Sequence, residues 1–234
     1  MDMPFSLSVL AEAWPTFEAG LITTAIFCSV AGALGIVLAV PIALAQLSRS
    51  WFWRVPAKAL VEIVRDTPFL VQVFVVYFVF PATGFPMSST TAGILALTIH
   101  GAVYFSESIR GAILSVPRGQ VDAARATGMS YPLTLRRIVF PQMMGYVLPP
   151  IGNQLVGLIK DSAVLSIISV PELSMAFQNV LGTTFAAPES FVAVAVLYWL
   201  LTSAVTLTMS RLERLTPTHR STQEKASLLA GVDR

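Results

Sequence analysis

The sequence predicts an all-α membrane protein with about five transmembrane helices, in a single domain covering residues 1–234. Three observations predict it. Hydrophobic residues make up 55% of the chain and charged residues only 12%, roughly half the charge that covers a soluble surface. Mean hydropathy is +0.72. The apolar residues also gather into stretches comparable to the ~20 residues a helix needs to cross a bilayer.

The elements follow in order. The first stretch, residues 17–47, is overlong, and Pro41 is expected to kink or end it. The second and third, 61–79 and 91–114, share an interval with no Asp, Glu, Lys or Arg from Thr67 to Ser106. Pro81, Gly84 and Pro86 divide them with turn chemistry. The fourth and fifth cover 138–159 and 191–209. Between spans three and four lies a charged loop, 111–137, and the polar tail from Thr216 is expected to fray. The single Cys28 offers neither a disulfide framework nor a thiol metal site. Asp2, Glu12 and Glu18 ahead of the first apolar run argue against a cleavable leader.

Orientation follows from the distribution of Lys and Arg. Of 15 such residues, all but Lys160 fall on one side of the spans, including Arg118, Arg125, Arg136, Arg137, Arg211, Arg220, Lys225 and Arg234. The opposite side holds Lys160 with Asp161, Glu172 and Glu189. The C-terminus is therefore expected in the cytoplasm and the N-terminus outside.

The charged loop has its own local logic. Gln120 to Thr127 is an alanine-rich helix former, Gly128 can end it in the left-handed conformation, and Ser130 can cap a second helix with Pro132 in its first turn. The small side chains of Ala123, Ala124 and Ala126 permit a partner surface to approach closely.

These residues resemble the EAA loop of permease subunits in ATP-binding-cassette importers: Glu-Ala-Ala, three residues, Gly, nine residues, Ile-x-Leu-Pro. The match falls at Ala123, Ala124, Gly128, Ile138 and Pro141, with Asp122 in place of Glu and Phe140 in place of Leu. The likeness extends to the polar-amino-acid branch, whose known solutes include histidine, glutamate, glutamine, arginine and opines. Gly20-Leu-Ile-Thr-Thr24 is similar to the start of its first span. Glu62-Ile-Val-Arg65-Asp-Thr-Pro68-Phe-Leu-Val-Gln72 is similar to its E-x-x-R-x-T-P segment, with Asp66 where Gly is commoner. Tyr104 to Gln120, Lys160 to Ser166 and Val170-Pro-Glu-Leu173 continue the match.

The resemblance implies a type I importer permease fold in the bacterial cytoplasmic (inner) membrane. It also implies a second permease chain, identical or related, an ATPase dimer, a periplasmic or anchored solute-binding protein and surrounding lipid; no nucleic acid is implied. Asp122, Ala123, Ala124, Gly128 and Pro141 would then couple the chain to the ATPases. With no G-x-x-x-x-G-K-[ST] phosphate loop here, ATP and Mg are expected on those partners, and this chain is expected to be neither an enzyme nor a cofactor carrier.

Polar residues within spans are the remaining candidates. Glu62 and Arg65, three residues apart, can pair on one helix face, as can Glu107 and Arg110. Both pairs read better as structural or gating clamps than as solute contacts. His100 lies seven residues before Glu107 and reads as a hydrogen-bonded packing histidine sooner than a proton relay. Asn153 and Gln154 fall near mid-membrane, flanked by Gly152 and Gly157. They suit either a zwitterionic solute or a subunit interface. Gln154 carries no charge where relatives transporting basic amino acids are expected to have an acid, which favours a neutral or acidic solute. Lys160 and Asp161 can form a local ion pair or meet a docked partner, and Gln72 reads most simply as helix packing. The competing function is an ion-driven secondary carrier or channel. It calls for membrane-centred ionisable residues or broken helices, and neither is evident in the sequence.

Overall fold

The computed structural model describes residues 7–216; the tail cations Arg220, Lys225 and Arg234, together with Asp2 and His219, lie outside the described residues. Four helices are long and apolar enough to cross a membrane, or up to five if one bent pair is counted as a span. Helix α1 (Leu7–Gln46) runs 40 residues, about 60 Å at helical rise. Pro41 does not end it: the helix continues past that ring to Gln46. One face is lined with small residues, including Ala31, Ala39 and Ala43, all fully buried. Close backbone approach is the consequence. A Cβ added at Gly35 would stand 3.2 Å from the backbone nitrogen of Ala102 and from the ring of Phe105, both on α4 (Ser89–Ser115). Small-residue contacts of this kind hold membrane helices together where lipid removes the hydrophobic drive.

The expected second span is not one straight helix. Helix α2 (Trp51–Asp66) and helix α3 (Phe69–Ala82) meet at 111°. Pro68 explains the break, since its ring disfavours helical backbone at the residue before it; Thr67 is extended at φ −104° and ψ 130°. Broken helices leave carbonyls unsatisfied, which membranes tolerate only where protein re-satisfies them. Here the Gln72 side-chain nitrogen donates to the carbonyls of Val64 at 2.7 Å and Thr67 at 2.8 Å. Thr67 Oγ1 donates to Ile63 at 2.6 Å. Gln72 is thus a cap for the break, a more specific job than packing.

Helix α4 ends at Ser115, and the short helix α5 (Arg118–Ala126) follows. The next helix, α6 (Tyr131–Ile168), starts seven residues before the expected fourth span. It contains a wide π turn at Leu135–Val139 and a tighter 3-10 end at Ser162–Ile168. The wide turn has a cause in Pro141, which lacks an N–H and crowds the preceding turn's carbonyl. Helices α7 (Leu173–Thr184) and α8 (Ala187–Leu215) complete the described residues.

Helix α7 presses on α1 at Gly20. A Cβ there would fall 2.7 Å from the Ala176 Cβ and 3.0 Å from the Leu173 Cα. Gly20→Val is expected to cost about 1–3 kcal/mol through overpacking. Thermal unfolding in detergent checks this, with Gly182→Ala, in open space on α7, as the comparison.

Candidate functional site

The segment expected to couple is built from α5, its turn and the start of α6. Gly128 sits at φ +84°, the left-handed cap position where only glycine avoids a Cβ penalty. The turn closes through Gly128 N–H to the Arg125 carbonyl (3.0 Å) and Met129 N–H to the Ala124 carbonyl (3.2 Å). Asp122 and Ala123 are exposed, but Ala124 is buried against its own chain. Its methyl is thus spent on internal packing, whereas Ala123 and Ala126 stay open. Ser130 stands at the start of α6 without a side-chain cap bond; instead its carbonyl accepts from Thr134 N–H at 2.9 Å. Gln142 ties α5 to α6, donating to the Gln120 side chain and to the Ile138 carbonyl. Helix α5 is therefore joined to α6 by polar and packed contacts, and Pro141 lies exposed beside that joint.

The second feature is an open cleft of about 500 Å³ at the α2–α3 break. Arg65, Asp66 and Thr67 close one side, Phe69 opens α3, His100 and Tyr104 come from α4, and Gln154 and Asp161 come from α6. His100 lies between the rings of Phe69 and Tyr104, with centroids at 4.8 and 4.7 Å. Its Nδ1 meets Gln72 Oε1 at 3.1 Å. Because the Gln72 amide nitrogen already donates to two carbonyls, its oxygen is the acceptor, and Nδ1 carries the proton. Nε2 then faces the Asp161 carboxylate at 3.5 Å.

Several expected pairings resolve differently. Arg65 does not pair with Glu62; its Nη1 stands 3.7 Å from Glu107 Oε2 on α4. Glu62 is exposed, with no ion pair among the described residues. The Glu107–Arg110 pair forms as two bonds, at 3.0 and 2.8 Å. Lys160 and Asp161 form no ion pair, because adjacent helix residues point about 100° apart and Asp161 turns to His100. Gln154 lines the cleft, while Asn153 is exposed outside it.

One cluster was missed. Glu172 is fully buried and caps α7, accepting from Ser174 N–H at 2.9 Å and Met175 N–H at 2.8 Å. Tyr198 on α8 donates to it at 2.9 Å and meets Ser174 Oγ at 2.9 Å. Burial raises this carboxyl above its ordinary value, against the pull of those donors. The available signal was an acid directly before an apolar helix start, in Val170-Pro-Glu-Leu173.

A helical membrane bundle with a polar cleft at a broken span is the architecture of a membrane transport protein. Residues 31–216 match the family described as binding-protein-dependent transport system inner membrane component, and the chain belongs to that family. A probable amino-acid ABC transporter permease protein of Bacillus subtilis is 34% identical over 90% of this chain and 93% of its own. The glutamine transport system permease protein of Escherichia coli K12 is 33% identical over 91% and 98%. A crystal structure of an amino acid ABC transporter with histidines superposes with TM-score 0.84 at 31% identity, covering 92% of this chain and 99% of that one. The methionine ABC transporter, in inward-facing form, shares the fold at TM-score 0.73 and 21% identity.

The protein is therefore a multi-pass permease subunit of an ABC importer in the bacterial cytoplasmic membrane, a family that works with ATPase and solute-binding partners. The competing secondary carrier is disfavoured by that membership. The expectation that no helix is broken is corrected, since α2 and α3 form a pair bent by 111°, so helix continuity does not separate the two classes.

Proposed function

We propose that this chain pairs with a second permease, identical or related, to carry a zwitterionic amino acid or opine through the cleft at the α2–α3 break. The supporting observation is the mixed charge of that cleft: Arg65 and Asp66 line it from the end of α2, and Asp161 and the Gln154 amide line it from α6. A guanidinium suits an α-carboxylate and a carboxylate suits an α-ammonium. The start of α3 adds partial positive charge on the same wall. Relatives named for glutamine, nopaline and octopine support the solute class.

In this reading the α5 end faces the cytoplasm, as the Lys and Arg distribution favours, and a periplasmic or anchored binding protein delivers solute at the other end. ATP and Mg belong to an ATPase dimer docked on Asp122, Ala123 and Gly128; the chain itself carries no cofactor and no catalysis. Asn153 and Lys160, exposed on α6, suit the surface toward the second permease.

Gln154 is the selectivity position. Competition of uptake by a panel of amino acids in the reconstituted importer tests this. Neutral or acidic amino acids are expected to compete best, and Gln154→Glu is expected to raise competition by arginine and lysine about tenfold or more, as a desolvated charge pair does. Competition by arginine and lysine alone in the unmodified protein sinks the reading.

A further inference from the structure

Behind the cleft lies a second, smaller cavity of about 210 Å³, lined by Gln46, Lys58, Glu62, Glu107 and Arg110 among others. The two cavities share one wall residue, Arg65. Their α4 walls are successive turns of one helix: His100 and Tyr104 face the cleft, Glu107 and Arg110 face the smaller cavity. That order leads from the cleft toward the α5 end of the bundle. We propose that the Arg65 side chain is the gate between them, held shut by its ion pair with Glu107, so that solute leaves the cleft only when that pair opens.

The two bonds to Glu107 are unequal in a way that suits a latch. Arg110, on the same helix, grips the carboxylate through two bonds at 3.0 and 2.8 Å, and so stays with it when helices move. Arg65 reaches it from another helix through one contact at 3.7 Å, with half its side chain exposed. A long, half-exposed pair has little strength, which makes it the contact that yields. Glu107 is thus the fixed strike and Arg65 the moving bolt.

The helix that carries the bolt is free to swing. Arg65 precedes the extended Thr67–Pro68 break by two residues, so rotation of α2 about the break carries the guanidinium across the septum. Of the residues in α2, only Val61 and Val64 are buried. They pack with Val103 of α4 in a small cluster, a light attachment compared with the α1–α4 seam. Glu62 lines only the smaller cavity and serves as an internal control.

This inference rests on the cleft being the solute path and on the α5 end facing the cytoplasm, but its test needs no transport. In the assembled importer with Cys28→Ala, Thr67→Cys places a thiol on the cleft wall. Inside-out membrane vesicles without nucleotide receive a membrane-impermeant maleimide from the cytoplasmic face. Arg65→Gln and Glu107→Gln are each expected to speed labelling about fivefold, the double variant no more than either alone, and Arg65→Lys less. Glu62→Gln is expected to leave the rate unchanged. Equal rates in all variants overturn the gate, as does additive acceleration in the double variant. Glu107→Gln with Arg65→Lys carries the test if Arg65→Gln fails to assemble. Should amino acids prove not to be the solute, these labelling rates still decide whether Arg65 closes the cleft.

Discussion

Gly128→Val is expected to reduce ATP-driven uptake at least tenfold while the protein still inserts and assembles. The backbone at this position is left-handed, φ +84°, and a β-branched residue is a true outlier there. The penalty is about 1–2 kcal/mol per residue, enough to repopulate the turn by roughly tenfold. Nothing lies within 4 Å of the missing Cβ, so the variant meets no clash and keeps its spans. What changes is the angle between α5 and α6, which the turn bonds at Gly128 and Met129 fix. A rigid push through α5 reaches the spans only if that angle is held. Gly84, at φ +96° and equally open, separates strain from coupling. Gly84→Val carries similar backbone strain in the α3–α4 loop and is expected to retain most uptake. Uptake assays on both variants, with membrane insertion quantified, check the pair; normal uptake in Gly128→Val would remove the coupling role.

The turn at Gly128 was readable because its information is local. Gly128, the alanines before it and Pro141 after it act through backbone rules that need no knowledge of the rest of the chain. Helix existence was readable for the same reason, since composition decides it. Partner choice was not. Arg65 can reach Glu62 three residues away or Glu107 forty-two residues away, and only the packing of α2 on α4 selects the second. Likewise Pro68 is a local signal for a helix break, and the expected span over 61–79 ran straight across it. The 111° bend depends on Gln72 folding back to the orphan carbonyls. Local propensity can suggest such a break but cannot show that it is affordable. Asn153 and Gln154 make the same point: adjacent on one helix, they separate by about 100°, and only the placement of α6 sends Gln154 alone into the cleft.

Glu172→Ala is expected to destabilise the chain by about 2–4 kcal/mol, the largest single stability loss predicted here. The carboxylate is fully buried, caps α7 through Ser174 and Met175 N–H, and accepts from Tyr198 on α8. Alanine removes a cap worth about 1 kcal/mol and leaves buried donors unsatisfied at about 1–3 kcal/mol each. Its pH dependence distinguishes the cluster from ordinary packing. Burial raises the folded-state carboxyl above its ordinary 4.5 despite the donors around it. The folded state then binds the proton more tightly than the unfolded chain. The corresponding stability is fully present below about the ordinary value and is lost as pH rises through the raised one. Glu172→Gln keeps the shape but cannot titrate, so it starts lower by its mismatched amide and gives no such slope. Thermal unfolding in detergent from acid to neutral pH is expected to show the gap between the natural chain and Glu172→Gln narrowing as pH increases. A gap that widens instead means that the donors, and not burial, control the carboxyl. Glu172 would then be a charged cap holding α7 against α8 most firmly at neutral pH.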